Sequence, residues 1–136
     1  MSSRREAREC SLQMLYIADT CNIPIETVLD SFSQSLPTVR VYRDFAEKLF
    51  RGVCQRREEI DCLIKQYVKN WDLGRMATVD RNIIRLATYE ILATPEAPIS
   101  VIIDEAVEIS KKYSTKDSSK FVNGILDKIK IVRSGN

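Results

Sequence analysis

Along this chain the apolar residues recur every three or four positions and nowhere sustain a strict alternation, which predicts helices throughout and requires no strand. In the first helix Ala7, Cys10, Met14, Ile17, Ala18 and Cys21 share one side, with Leu15 at its edge. Arg5, Arg8, Leu12 and Tyr16 fall on another side, with Arg4 beside Arg8. Asn22 is placed to cap a second helix starting near Pro24, whose stripe is Ile25, Val28, Leu29 and Phe32. Residues 33–37 read as a loop. A third helix over residues 39–54 carries Tyr42, Phe45, Ala46, Leu49 and Val53 on one face, and the charged run 55–59 marks a break.

The fourth stripe, Ile60, Leu63, Ile64, Tyr67, Val68 and Trp71, keeps helical spacing until Asp72-Leu73-Gly74 stops it. Thr78 is the expected cap of a fifth helix running to Ala93. Its apolar residues, Ile83, Ile84, Leu86, Ala87, Tyr89, Ile91 and Leu92, nearly encircle it, as in a helix central to a bundle. Arg81 and Arg85 mark its most polar side. Pro95 and Pro98 enforce a turn, and Ser100 is the expected cap of a sixth helix with Ile102, Ala106, Ile109 and Tyr113 inward. Glu108 and Lys112 on its outer face have the spacing of an ion pair. Asp117 or Ser118 is the expected cap of the last helix, on the stripe Phe121, Val122, Ile125, Leu126, Ile129 and Val132. The fold class is all-α: about seven helices in two packed helical subdomains, near residues 1–72 and 73–136.

Charge adds an asymmetry to this picture. The net charge is only +2, yet residues 1–8 hold three arginines against one glutamate. Residues 111–133 hold Lys111, Lys112, Lys116, Lys120, Lys128, Lys130 and Arg133 against Asp117 and Asp127. Basic ends on a mildly acidic body suit a polyanion, or else simply solvate helix surfaces. Guanidinium groups near Tyr16 suit a phosphate backbone with unstacked bases, and an ordinary half-buried tyrosine fits the same pattern.

Catalytic chemistry finds little footing. There is no histidine, so the commonest general base and transition-metal ligand are missing. The four cysteines, Cys10, Cys21, Cys54 and Cys62, form no Cys-x-x-Cys and read as buried free thiols. The isolated glycines form no phosphate-cradling loop, and Asp104 with Glu108 reads as a solvated face rather than a metal pair. No metal and no cofactor are expected. No apolar run approaches the roughly 20 residues of a membrane span, and no signal peptide is evident, so a cytoplasmic binding module is the expectation.

Three stretches resemble the NusB family of bacterial transcription antitermination factors. They are Arg4-Arg5-Glu6-Ala7-Arg8-Glu9-Cys10 through Gln13-Met14-Leu15-Tyr16; Val79-Asp80-Arg81-Asn82-Ile83-Ile84-Arg85-Leu86-Ala87-Thr88-Tyr89-Glu90; and Ala97-Pro98-Ile99 through Asp104-Glu105-Ala106-Val107-Glu108 to Asp117-Ser118-Ser119-Lys120-Phe121-Val122-Asn123-Gly124-Ile125-Leu126-Asp127-Lys128. Their order and spacing match over nearly the whole chain. The resemblance implies a non-catalytic partner of NusE, a small-subunit ribosomal protein. The pair would bind single-stranded boxA RNA of nascent ribosomal transcripts and help RNA polymerase read through terminators.

Residue by residue, the resemblance puts the RNA strip on Arg4, Arg5 and Arg8, with Gln13, Tyr16 and Phe121 at the RNA-facing surface. Phe121 also lies on the apolar stripe, so core and base-stacking both stand for it. Asp80 and Asp117 match acidic positions tied to the NusE and RNA surface, and each also fits stabilisation of a helix N-terminus. Lys116 and Lys120 are candidate phosphate contacts by charge and location. Glu6 stands where the family often has a basic residue, which keeps open a protein–protein module with weak or lost RNA binding. NusB-like domains also precede ribosomal RNA methyltransferase domains, for which this sequence leaves no chain after its helices.

Overall fold

A computed structural model describes residues 3–68 and 76–134, and every regular element among them is a helix. The helices are α1 (Arg4–Cys21), α2 (Ile25–Ser31), α3 (Arg40–Gln55), α4 (Arg57–Tyr67), α5 (Thr78–Ala93), α6 (Ile99–Tyr113), α7 (Lys116–Ile129) and α8 (Ile131–Ser134). The seven expected helices are present, and a one-turn α8 follows them after a break at Lys130. The expected positions of Trp71 and the stop at 72–74 lie outside the described residues.

The chain divides into two compact units, Met1–Gln55 and Arg56–Asn136. The first is built on α1 against α3, with α2 beside both. Ala7 and Met14 of α1 meet a buried set on α3 of Phe45, Ala46, Leu49, Phe50 and Val53. Small residues at the crossing allow close approach, and Ser11 Oγ donates to the Ala46 carbonyl at 2.8 Å, tying the two backbones together. The buried arc of α1 is displaced from the expected one. It takes in Leu12 and Arg8, while Ile17 and Ala18 are half-buried and Cys21 is exposed. Asn22 ends α1 instead of starting α2. It adopts the left-handed conformation (φ 52°), and its N–H returns to the Ala18 carbonyl at 3.2 Å.

The second unit is organised around α5, which packs against α4, α6, α7 and α8. Every residue from Asn82 to Ile91 is buried, so the nearly encircling apolar pattern does mark the central helix. Arg85, expected on a polar side, is only 1% exposed, because Asp61 of α4 comes to meet it. That pairing and the packing of Ile60 and Ile64 carry α4 into the second unit, so the division falls at residues 55 and 56. Helix starts also differ from expectation. Ala77 and Pro98 precede α5 and α6 without a side-chain cap. Thr115 caps α7, accepting from the Ser118 N–H at 3.0 Å.

The thiols differ from expectation: none of the four cysteines is in a disulfide, but only Cys10 is buried, with Cys54 half-buried and Cys21 and Cys62 exposed. Glu108 pairs with Lys111 at 3.1 Å, and Lys112 lies 5.4 Å from the ring centre of Tyr113. Among the described residues no helix is long and apolar enough to cross a membrane, and no group of three His, Cys, Asp or Glu side chains is placed to hold a metal.

Candidate nucleic-acid interface

In the first unit the expected strip sits on the first four turns of α1. Ser3 caps this helix by accepting from the Glu6 N–H at 3.1 Å, so the arginines begin at its first helical residue. They do not share one environment. Arg4 and Arg5 are exposed, whereas Arg8 is 4% exposed. The guanidinium carbons of Arg4 and Arg8 lie 4.7 and 5.4 Å from the centre of the Phe45 ring on α3. Two cations one helical turn apart thus share one aromatic ring, an attraction of about 0.5–1 kcal/mol each at an exposed site and more when desolvated. Arg8 thus packs its guanidinium against Phe45 inside the first unit, one turn from Arg4.

Tyr16 is 42% exposed, and at 100° per residue it lies within about 20° of Arg5 on the helix wheel. Cation and ring therefore face solvent on one line, as phosphate and base recognition requires. Gln13 is exposed further round. It lines a cleft of about 340 Å³ with Glu6, Glu9 and Cys10 of α1 and residues 35–38 of the following loop. The cleft is edged by carboxylates, so the basic line is flanked by negative charge on one side. At its base the Cys10 thiol donates to the Ser35 carbonyl at 3.9 Å, and burial pushes its pKa up.

In the second unit the expected residues fall at the start of α7 and of α5. Phe121 is 47% exposed, so it is not a core residue. The core stripe of α7 is Ser119, Val122, Ile125, Leu126 and Ile129, and Phe121 stands beside it rather than on it. Lys116, Asp117 and Lys120 are exposed. Asp80 is not: it is buried in the first turn of α5, where its Oδ2 accepts from the Ser118 hydroxyl at 3.0 Å. Its Oδ1 is buried without a hydrogen-bond partner. The Ser118 hydroxyl accepts in turn from Ser114 and Thr115, at 3.0 and 3.1 Å. Asp80 thus ties the first turn of α5 to the first turn of α7, where Lys116 and Asp117 also stand.

Sequence reasoning missed several residues that hold this arrangement. Phe45 was read as core alone, although it is the seat of two arginines. Arg133 was counted with the basic end, yet its guanidinium donates to the carbonyls of Glu90, Ile91, Thr94 and Ala97 and closes the C-terminal end of α5. Lys111, which the sequence shows only as one charge of the basic end, lines a groove with Lys116 and Lys120. A guanidinium near a helix C-terminus is the signal that could have flagged Arg133, but the helix it closes lies forty residues away in sequence.

Comparison with known proteins covers nearly the whole chain. The NusB family model matches residues 5–130. The transcription antitermination protein NusB of Trichlorobacter lovleyi is 48% identical over 129 residues, covering 95% of this chain and 91% of that protein. Among solved structures, a NusB from T. maritima superposes with a TM-score of 0.85 at 38% identity, over 95% of this chain and 91% of that one. A chain in the crystal structure of the antitermination factors NusB and NusE in complex with dsRNA gives a TM-score of 0.80 at 26% identity, over 95% and 96%.

Proposed function

The chain belongs to the NusB family, and we propose that it is an RNA-binding transcription antitermination factor. With NusE it holds the single-stranded boxA element of nascent ribosomal transcripts and helps RNA polymerase read through terminators. The observation that carries this reading is the full-length likeness to a chain solved with NusE and RNA. The role is scaffolding and non-catalytic, and a factor of nascent transcripts works in the cytoplasm.

The division of labour follows from exposure. Arg4 and Arg5 hold backbone phosphates, Arg8 supports them through Phe45, and Tyr16 with Gln13 meets the bases on the first unit. On the second unit Phe121 stacks on a splayed base. Asp117, exposed in the first turn of α7, offers a carboxylate to NusE, while Asp80 acts on that surface through Ser118. With a net charge of only +2, the protein binds RNA modestly alone, and NusE raises affinity by adding contacts and preorganisation.

A second reading, a protein–protein module with weak RNA binding, draws on Glu6 and Glu9 beside the basic line and on the burial of Arg8. Anisotropy of a labelled boxA RNA, with and without NusE, at two salt concentrations and against a scrambled RNA, separates the two. Binding that prefers boxA and tightens with NusE supports the antitermination factor. Absence of binding even with NusE leaves the protein–protein module.

A further inference from the structure

Lys116 and Lys120 of α7 do not share a side with Phe121. Val107 and Lys111 of α6 and Lys116, Ser119, Lys120 and Asn123 of α7 line a groove of about 420 Å³. Phe121 lies about 100° round the helix from Lys120, on the other flank of α7, and Asp117 lies equally far from Lys116. Three ammonium groups edge the groove, and no carboxylate is among its lining residues. Glu108 moderates one of them, at 3.1 Å from Lys111. Lys116 and Lys120 stand one turn apart, about 6 Å along the axis. The Ser119 hydroxyl is turned inward, donating to the Lys116 carbonyl at 2.7 Å, so the ammonium groups and the Asn123 amide supply the outward polarity.

We infer that this groove is a track for the phosphodiester backbone of RNA flanking the recognised element, carrying the strand onward from Phe121 without reading its sequence. The inference rests on the RNA-binding reading above. An ammonium group holds a phosphate as a point charge and demands no particular base geometry. No aromatic ring lines the groove, so bases have nothing to stack on there. An acidic amphipathic helix fits less well, because its apolar face needs a hydrophobic groove floor, and here Val107 is the single large apolar side chain among lysine stems, Ser119 and Asn123.

The test uses the full chain with NusE and two labelled RNAs: minimal boxA, and the same element extended by eight uridines at the 5′ or the 3′ end. One extended RNA is expected to bind about tenfold tighter, with a steeper salt dependence. The triple variant Lys111→Gln, Lys116→Gln, Lys120→Gln should bring the extended-to-minimal ratio close to one and flatten the salt slope by about 0.7 per lost contact. A ratio that the variant leaves unchanged overturns the inference. So does a Glu- and Leu-rich peptide that shifts the Val107 and Asn123 amide resonances while uridine extensions do nothing. A 20-nucleotide oligouridine given to the protein alone keeps this failure apart from failure of the boxA reading. Amide shifts at Val107, Lys120 and Asn123 support the track even where boxA is not preferred, and their absence overturns it whatever boxA does.

Discussion

Arg85 on α5 donates two hydrogen bonds to the carboxylate of Asp61 on α4, at 2.9 and 3.0 Å, with the guanidinium buried inside the second unit. A bidentate pair of this kind fixes orientation as well as distance, and Asn82 Oδ1 takes a further hydrogen bond at 3.3 Å. The central helix therefore carries a cation whose burial is tolerable only with its partner in place. Asp61→Ala should destabilise the protein by about 3–5 kcal/mol, because it strands that charge. Arg85→Met, which removes the charge and keeps the volume, should cost less. Urea unfolding of both variants checks the order, and a milder Asp61→Ala than Arg85→Met would contradict it.

Arg133 gathers four main-chain carbonyls around the end of α5. Charge-assisted hydrogen bonds to carbonyls contribute about 1.5–3 kcal/mol before strain and entropy are counted. Arg133→Ala is expected to lower stability by about 2–3 kcal/mol, on the scale of one such bond, and to speed amide exchange at Thr94 and Ala97 first. Its effect on RNA affinity should be slight, since this cation is already committed. A loss of RNA binding with unchanged exchange would return Arg133 to the interface.

The shared ring beneath Arg4 and Arg8 predicts a coupling between core and interface. Phe45→Leu keeps an apolar side chain and removes the π face, so it should cost about 1–2 kcal/mol in stability from two weakened cation–π contacts. It should also weaken RNA binding by a few-fold, with no residue at the interface changed. Binding equal to wild type would show that Arg4 is positioned without Phe45.

Tyr16 and Phe121 are half-exposed rings with little to lose from the fold. Alanine at either should change stability by no more than about 0.5 kcal/mol. RNA affinity should fall by about 1–3 kcal/mol for each ring that stacks on a base. A ring whose removal leaves RNA affinity intact is a surface residue without a base.

The Cys10 thiol reports on the first unit. Burial holds the Cys10 pKa above its ordinary value and keeps its sulfur from solvent, whereas Cys21 and Cys62 are exposed. A thiol reagent should label Cys21 and Cys62 quickly and reach Cys10 only on unfolding, or at much higher pH. Rapid labelling of Cys10 in the folded protein would place it at an open face of its cleft.

Helical periodicity made much of the architecture legible, because a stripe repeating every three or four residues can be buried in few ways. The encircled pattern of α5 was enough to mark it as central. Helix ends were less legible. Asn22 has the chemistry of either cap, and the path of the chain after α1 decides that it closes that helix. Thr115, rather than Asp117 or Ser118, caps α7, because the helix begins at Lys116 and takes both later residues into its first turn.

What the sequence by itself determined is the all-α fold class, the approximate place of each stripe and the presence of cations near both ends. Those follow from local periodicity and composition, which a linear chain carries in full. Tertiary structure alone decided which charges are available. Arg4 and Arg5 remain exposed, while Arg8 lies against Phe45, Arg85 meets Asp61 and Arg133 closes α5. It also turned Phe121 outward and Asp80 inward. The physical reason is that a long charged side chain takes its partner from whatever another helix brings within a few ångströms, and that neighbour is set by packing between elements distant in sequence.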